Sequence, residues 1–272
     1  MPVKKLIKAL LPPSWIHELK VVLGRSVSYR GNYESWGAAV SAARGYDEPA
    51  ILEKVRVATH RVVSNEAVFE RDSVCFDHEE CRRPVLDYLL RVAAQNDSQL
   101  SVLDFGGSLG SFYNQHKSHF AELRVVEWSI VEQPHFVVVG RREFETDVLR
   151  FYDSMAECLI ERSAQVLLLS SVLPYLPDPH GFIGQAIATG IQAVVIDRTA
   201  FLPGPRDRLV VQKVPPEIYE ASYPAWFLGE VKVVDGFKAG GYRLEQRFDC
   251  EEAACLGGEF KGMVFERMDG AQ

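Results

Sequence analysis

From residue 100 onwards, short apolar runs alternate with longer stretches in which apolar residues recur every three or four positions. The short runs predict strands, and the longer stretches predict helices. Such alternation is typical of a parallel β-sheet covered by helices on both faces. The predicted strands span residues 100–105, 128–131, 149–152, 166–169 and 193–196. The predicted helices span residues 111–120, 134–144 and 179–188.

The end of the chain departs from this alternation. A helix-like stretch over residues 221–234 precedes two successive apolar runs, at residues 242–248 and 262–267. Two consecutive strands without a helix between them favour an antiparallel pair, which we expect at the edge of the sheet. The pattern therefore predicts an α/β fold with a seven-stranded, mostly parallel sheet and an antiparallel final strand pair.

The first third of the chain has a different pattern. Between residues 32 and 95, apolar residues form three stripes at helical spacing, and no strand-type alternation extends over any length. We therefore predict a helical N-terminal cap over residues 1–97 and an α/β domain over residues 98–272.

The first residues predict a short amphipathic helix. Apolar residues between Val3 and Leu11 share one side, three lysines occupy the other, and Pro12 and Pro13 end the helix. Two interpretations remain open: the helix docks on the protein, or it contacts anionic lipid through residues 1–13. Neither a bilayer-spanning run nor a signal peptide is evident, so we expect a cytoplasmic protein, with peripheral membrane association left open.

Charge and cysteine content narrow the function classes. The 272 residues carry a formal net charge of −7, which argues against a nucleic-acid partner. The five cysteines are scattered without a Cys-x-x-Cys pair, as in reduced cytoplasmic proteins. Cys75, His78 and Cys81 lack the fourth ligand that a structural zinc site needs, so we predict no metal.

The turn after the strand at residues 100–105 is the strongest candidate for a ligand site. Asp104 ends the apolar run, and Gly106, Gly107 and Gly110 follow before the next helix. Glycines allow a backbone to approach a ligand closely, and the helix start presents N–H groups to it. A tight turn that binds nothing is the alternative. The glycines do not match the dinucleotide spacing G-x-G-x-x-G.

This turn resembles the S-adenosylmethionine-binding motif D-x-G-x-G-x-G of methyltransferases, with Ser108 at the middle glycine. The resemblance implies that the turn residues bind this cofactor. They are Asp104, Gly106, Gly107, Ser108 and Gly110.

Acidic residues follow the next two predicted strands. Glu132 and Gln133 end the strand at residues 128–131, where a carboxylate accepts hydrogen bonds from a ribose diol. Glu127 is a competing candidate that lies before this strand, and a solvated charge is the alternative for Glu132. Asp153 follows the third strand, where it would meet the adenine amino group.

The fourth strand runs through Ser170 and Ser171 into residues 172–179. This segment resembles the methyltransferase segment in which a strand enters a turn beneath the cofactor, which implies that both serines lie at the cofactor. Asp178 and Pro179 form a capped helix start, which explains them structurally.

These segments, together with residues 127–133, 196–199 and 219–226, resemble a family of bacterial proteins that are classed as methyltransferases by their fold and are typically encoded among surface-polysaccharide genes. The resemblance covers nearly the whole chain, including residues 33–36 and 69–72. It implies a Rossmann-like, class I methyltransferase with S-adenosylmethionine as cofactor.

Acceptor-side candidates lie after the strands, where ligands bind in such sheets. His180 suits a proton acceptor, although it also suits a surface position. Asp197 and Arg198 follow the fifth strand and are candidates for orienting a polar acceptor. Aromatic residues suit a stacking pocket, although such residues often belong to the core. They are Tyr175, Tyr219, Tyr223 and Trp226.

Two hypotheses on function follow. In the first, the enzyme O-methylates a saccharide or a related small acceptor in surface-polysaccharide biosynthesis. In the second, a non-catalytic module keeps the fold within a polysaccharide-synthesis assembly. A nicotinamide-dependent oxidoreductase is a third hypothesis, which the glycine spacing and the final strand pair oppose.

Overall fold

The computed structural model describes residues 27–43, 48–71, 73–215 and 221–268. The basic helix predicted near residues 3–11, Asp72 and Tyr219 lie outside the described residues. The elements in chain order are β1 (Ser28–Tyr33), α1 (Trp36–Ala42), α2 (Glu48–Val63), β2 (Phe69–Arg71), β3 (Val74–Phe76), α3 (Arg83–Gln95), β4 (Gln99–Phe105), α4 (Ser111–His116), β5 (Val125–Val131), α5 (Pro134–Glu143), β6 (Leu149–Tyr152), α6 (Met155–Glu161), β7 (Val166–Ser170), α7 (Pro179–Ala188), β8 (Ala193–Leu202), β9 (Arg208–Lys213), β10 (Ser222–Gly229), α8 (Glu230–Ala239), β11 (Tyr242–Asp249) and β12 (Glu259–Arg267). Short 3₁₀ turns occupy Lys117–Phe120 and Leu173–Tyr175.

The central sheet has the predicted organisation. Strands β6, β5, β4, β7 and β8 lie side by side in this order, and all their pairings are parallel. Strand β12 pairs antiparallel with β8, and β11 pairs antiparallel with β12. All seven predicted strands and the antiparallel final pair are thus confirmed, in an α/β Rossmann-like fold.

Three further strands enlarge this sheet to ten among the described residues. Strand β8 continues beyond its predicted end at residue 196 to Leu202, and β10 pairs with its last residues. Strands β9 and β1 extend the sheet antiparallel from β10. The helix predicted over residues 221–234 was wrong in its first part, because β10 occupies Ser222–Gly229. The apolar residues of β10 follow one another almost without interruption. Such a run shows neither the period of a strand nor that of a helix, so the sequence does not distinguish the two.

The N-terminal part of the chain, predicted as a mainly helical cap, also contains three short strands that the sequence did not predict. Strand β1 reads SYRGNY and has mostly exposed or half-buried residues, so its sequence lacks the apolar signal of a strand. Strands β2 and β3 form a hairpin of three residues each, too short for alternation to show. The domain boundary between residues 97 and 98 stays a prediction.

Apolar layers cover both faces of the sheet. Buried side chains of α3, α4 and α5 pack with β4, β5 and β6 on one face. Those of α6, α7 and α8 pack on the other. The carboxyl ends of the parallel strands therefore remain as the open edge. None of the helices in the described ranges combines the length and apolar character needed to cross a bilayer.

Helix α5 follows the end of β5 and packs on β6 through a position that only glycine fits. A Cβ atom on Gly140 would fall on the ring of the buried Phe151, well inside van der Waals contact, whereas one on Gly184 in α7 would meet nothing within 4 Å. We expect Gly140→Ala to lower the free energy of unfolding by about 1–3 kcal/mol. Gly184→Ala should raise it by roughly 0.5–1 kcal/mol, because alanine is the better helix former.

Urea unfolding followed by circular dichroism measures both variants. Stabilisation of the protein by Gly140→Ala would contradict the packing of α5 on β6.

Candidate active site

A cavity of about 1280 Å³ opens at the carboxyl ends of the parallel strands. Its lining includes the end of β4 at Phe105, Glu132 after β5, Asp153 after β6 and Ser170 at the end of β7. The order of the strands reverses between β4 and β7, and ligands in α/β sheets bind at such a switch point. Pockets for a single small ligand measure roughly 300–1,000 Å³, so this cavity has room for two ligands.

The turn after β4 forms the floor of the cavity. Gly106 has a φ of +73°, and a Cβ atom there would lie 2.6 Å from Cγ2 of Val172. Ser108 also has a positive φ, of +57°, a conformation that is unfavourable for a residue with a side chain. Gly106, Gly107 and Ser108 line the cavity, whereas Gly110 is not part of its lining and precedes α4 with a φ of +90°.

Asp104 supports the turn from within the protein. Its side chain is buried, and its Oδ2 accepts a hydrogen bond of 3.1 Å from Nε1 of Trp128. A Cβ atom on Gly107 would lie 2.6 Å from the carboxyl carbon of Asp104. Burial raises the pKa of Asp104 to about 7, although the hydrogen bond from Trp128 opposes this rise.

Glu132 lies beside the turn at the end of β5. Its carboxylate accepts backbone hydrogen bonds from Ser108 N–H at 3.2 Å and from Gln133 N–H at 2.8 Å. Burial raises the pKa of Glu132, while these two N–H groups oppose the rise. Glu132 and Gln133 line the cavity. Glu127 is paired in register with Ser101 within β5, and it is not part of the lining.

Asp153 lines the cavity after β6. Its carboxylate lies 3.6 Å from Nη1 of Arg141, and its side chain is partly exposed to solvent. The exposed carboxylate oxygens of Asp153 can therefore accept a hydrogen bond from a ligand.

Ser170 and Ser171 line the cavity where β7 ends, while Asp197 lies beneath them. Oγ of Ser170 donates to Oδ2 of Asp197 at 3.0 Å, and the backbone N–H of Ser171 donates to the Asp197 carbonyl at 2.9 Å. Ser171 has a φ of +58°. Asp197 is only 3% exposed and does not line the cavity, so it orients Ser170 rather than meeting an acceptor itself.

Arg82 connects the N-terminal part of the chain to Asp197 beneath the end of β7. Its guanidinium forms an ion pair with Asp197, and its backbone N–H donates to Nε2 of His116 at 3.2 Å. Nδ1 of His116 lies 3.0 Å from the Phe112 carbonyl. Burial lowers the pKa of His116 to about 4, so its ring is neutral at pH 7, with Nδ1–H donating and Nε2 accepting.

Arg198 of β8 and Glu252 form an ion pair on the cavity wall. Arg198 has a φ of +49° within β8, and Glu252 lies between β11 and β12. Burial tends to raise the pKa of Glu252, but the charge and hydrogen bond of Arg198 outweigh it and the pKa is lowered. Glu252 is therefore ionised at neutral pH.

Two of the predicted aromatic residues, Tyr175 and Tyr223, form hydrogen bonds with the side-chain amide of Gln212. The hydroxyl of Tyr175 donates to Oε1 of Gln212 at 2.9 Å, and Nε2 of Gln212 donates to the hydroxyl of Tyr223 at 3.2 Å. The two rings meet edge to face at 5.4 Å. All three residues line the cavity, so their polar groups are held in fixed positions at its wall.

The structure does not bring two other candidates to the cavity lining. Nε1 of Trp226 donates to the Leu176 carbonyl at 3.1 Å, and its ring stacks on Trp36. His180 lies 2.9 Å from Oδ2 of Asp207, which also accepts from Lys232 Nζ. Neither Trp226 nor His180 is among the lining residues, so we no longer assign them to an acceptor pocket or to proton transfer.

Several polar residues of the cavity wall were not predicted from the sequence. They are Glu70, Arg71, Arg82, Gln212 and Glu252. The first three belong to the part of the chain predicted as a helical cap, Gln212 lies within β9, and Glu252 lies between the two strands of the final antiparallel pair. Among the described residues, no group of three or more histidine, cysteine or acidic side chains is placed to hold a metal ion.

Comparison with known proteins gives structural neighbours only. No protein-family profile matches the chain, and no curated protein matches it. Magnesium protoporphyrin IX methyltransferase from Synechocystis with bound SAM is 12% identical, covers 83% of this chain and 86% of its own, and has a TM-score of 0.45. An S-adenosylmethionine-dependent methyltransferase from Clostridium acetobutylicum is 12% identical over 70% and 93%, with a TM-score of 0.45.

A third neighbour is the 1,6-didemethyltoxoflavin-N1-methyltransferase from Burkholderia thailandensis, with bound 1,6-didemethyltoxoflavin and S-adenosylhomocysteine. It is 14% identical over 83% of this chain and 92% of its own, with a TM-score of 0.41. At such values the likeness concerns the course of the chain, and the chemistry of the site rests on its own residues.

Because the pKa of Asp104 is raised in the folded protein, we expect the free energy of unfolding to depend on pH. In the unfolded chain Asp104 releases its proton near its ordinary pKa of 3.8, but in the folded protein near 7. Because the folded state binds more protons in this window, stability falls as the pH rises through it. The rise from 3.8 to about 7 corresponds to at most about 4 kcal/mol.

Asp104→Asn keeps an acceptor for Trp128 but cannot titrate. We expect the free energy of unfolding of the wild type, relative to this variant, to decrease between about pH 4 and about pH 7. Urea unfolding at several pH values measures the difference. Parallel pH profiles for the two proteins would contradict the raised pKa.

Proposed function

We propose that this protein transfers a methyl group from S-adenosylmethionine to a hydroxyl group of a saccharide or a related small acceptor in surface-polysaccharide biosynthesis. The observation that supports this proposal is a single cavity that joins the glycine turn and Glu132 to a separate group of polar and aromatic side chains. Its volume of about 1280 Å³ leaves room for the cofactor and the acceptor together.

The residues at the glycine turn fit an adenosine group. A side chain at Gly106 would displace Val172 and one at Gly107 would displace Asp104, so the glycines keep the turn in a shape that leaves its backbone at the cavity. The Glu132 carboxylate is oriented by two backbone N–H groups, and its remaining lone pairs suit the hydroxyl groups of a ribose. Asp153 offers an acceptor for the adenine amino group, and Val131 and Phe136 line the cavity with apolar surface.

When bound, S-adenosylmethionine supplies an electrophilic methyl group on a sulfonium sulfur. The task of the chain is then to align the acceptor hydroxyl with this methyl group and to exclude water. None of the described lining residues is a histidine, and Glu252, with its lowered pKa, is a weak proton acceptor. As the O–CH3 bond forms, the S–CH3 bond would break, S-adenosylhomocysteine would leave, and the hydroxyl proton would pass to the Glu252 carboxylate or to solvent. We therefore propose that alignment of the acceptor contributes more to the rate than proton removal.

The part of the cavity wall formed by Arg198, Glu252, Tyr175 and Tyr223 suits a sugar. Arg198 donates hydrogen bonds and Glu252 accepts them, so the pair matches two neighbouring hydroxyl groups. The rings of Tyr175 and Tyr223 offer an apolar surface for the C–H groups of a sugar ring. The link to surface polysaccharides is supported by the resemblance of the sequence segments.

The role of Glu132 in cofactor binding is tested by calorimetry. Because Glu132→Ala removes the acceptor for the ribose, we expect it to raise the Kd for S-adenosylhomocysteine about tenfold or more. Glu127→Ala, within β5 but not in the cavity lining, is the matched control and should leave the Kd unchanged. Unchanged affinity in Glu132→Ala, or preferential binding of NAD by the wild type, would contradict the proposed cofactor site.

The acceptor wall is tested by transfer of a tritiated methyl group from S-adenosylmethionine to a set of saccharides. We expect Arg198→Gln to lower kcat/KM for the acceptor about tenfold or more, because it removes a charged donor, with little change in cofactor affinity. Equal loss of cofactor affinity would place Arg198 outside the acceptor wall. Cofactor binding without transfer to any saccharide would favour a non-catalytic module.

A further inference from the structure

Strand β1 contributes a tyrosine to the part of the cavity that we assign to the acceptor. Tyr29 of β1 lines the cavity, as do Gln212 of β9 and Tyr223 of β10. In the antiparallel pairing of these strands, Tyr29 lies opposite Gln212, and Gln212 lies opposite Tyr223. Side chains at paired positions share one face of a sheet, so the three residues form a row on the cavity wall.

Aromatic neighbours hold the ring of Tyr29 in place. It meets the ring of the buried Phe227 edge to face, with centroids 5.2 Å apart, and its centroid lies 6.2 Å from that of Phe260. Phe227 belongs to β10 and Phe260 to β12. Side chains of two further strands therefore restrict where the Tyr29 hydroxyl can lie.

The hydroxyl of Tyr29 lies near the ion pair of Arg198 and Glu252. Burial raises the pKa of Tyr29 above its ordinary value; Tyr175, Cys255 and Glu252 add to this rise, and Arg198 opposes it. Such electrostatic effects require that the phenol group lies close to these residues. The phenol keeps its proton at neutral pH, so it is a hydrogen-bond donor there.

The neighbouring polar groups of the row are already paired with one another. Oε1 of Gln212 accepts from the Tyr175 hydroxyl, and Nε2 of Gln212 donates to the Tyr223 hydroxyl. Within the part of the chain that the structure describes, the Tyr29 hydroxyl makes no hydrogen bond. Polar groups away from bulk water are nearly always paired, so this donor on the cavity wall is available to a ligand.

We infer that Tyr29 is a specificity-determining residue of the acceptor site, whose hydroxyl donates a hydrogen bond to a saccharide hydroxyl other than the one that is methylated. This inference rests on the proposed function. A site that is built to bond a hydroxyl group rejects the analogue that lacks it, because the polar group of the protein then loses its partner. The acceptor is thus a polyhydroxyl compound that the protein distinguishes from its deoxy analogue.

The experiment measures transfer of a tritiated methyl group from S-adenosylmethionine to the methyl glycosides of glucose, galactose and mannose and to their monodeoxy analogues. For the best of the three glycosides, we expect deoxygenation of at least one hydroxyl that is not methylated to lower the wild-type kcat/KM about tenfold. Tyr29→Phe should lower kcat/KM for the parent glycoside by a similar factor, mainly through KM, and should show no further loss with that deoxy analogue. The variant and the analogue remove opposite ends of the same hydrogen bond.

Tyr33→Phe is the matched control, because it makes the same change on β1 at a residue that is not part of the cavity lining. It should alter neither kcat/KM nor the selectivity between the glycoside and its deoxy analogues. Tyr29→Phe keeps the ring that contacts Phe227 and Phe260. Both variants should therefore bind S-adenosylhomocysteine with the wild-type Kd in calorimetry.

The contrary results differ in what they overturn. If Tyr29→Phe left the kinetics unchanged, or if it still lost the wild-type factor on every deoxygenation, the hydrogen bond from Tyr29 would be excluded and the proposed function would stand. A weaker Kd for S-adenosylhomocysteine in Tyr29→Phe would also overturn the inference, since the residue would then support the cavity as a whole. Transfer by the wild type to none of the glycosides would overturn methylation of saccharides, and this inference with it.

Discussion

The buried carboxylate of Asp104 lies between the indole of Trp128 and the backbone of Gly107, and the shape of the cavity floor depends on this contact. A side chain at residue 107 would collide with the carboxylate, and one at residue 106 would collide with Val172. Residues 106 and 107 therefore stay glycine, and the turn keeps its close packing against Asp104 and Val172. The same turn directs the Ser108 N–H to Glu132, which connects the end of β4 to the end of β5.

Unfavourable backbone conformations recur along this edge. Ser108, Ser171 and Arg198 have positive φ angles although each carries a side chain, and they follow or lie within three neighbouring strands, β4, β7 and β8. Such conformations persist only where the surroundings hold them, and they cluster at functional sites. Here hydrogen bonds hold two of them: Ser108 N–H donates to Glu132, and Ser171 N–H donates to the Asp197 carbonyl.

The sequence predicted the parallel sheet because its strands are buried on both faces and read as continuous apolar runs. The glycine turn and the acidic residue at the cavity were also predictable, since Gly106 and Glu132 lie directly where such runs end and both line the cavity. Strand β1 was missed because it is polar and gains its structure from pairing with β9. Glu70 and Arg82 were missed because their place in the cavity lining depends on contacts with Ser111 and Asp197, which are 41 and 115 residues away along the chain. His180 was predicted as a proton acceptor because imidazole titrates near neutral pH. In the structure it contacts Asp207 and does not line the cavity.

A crystal structure determined with S-adenosylhomocysteine tests the central claim most directly. The account predicts electron density for an adenosine over the turn at Gly106, with the ribose hydroxyl groups at the Glu132 carboxylate. Density for the ligand elsewhere, or side chains that fill the space above the turn, would contradict it.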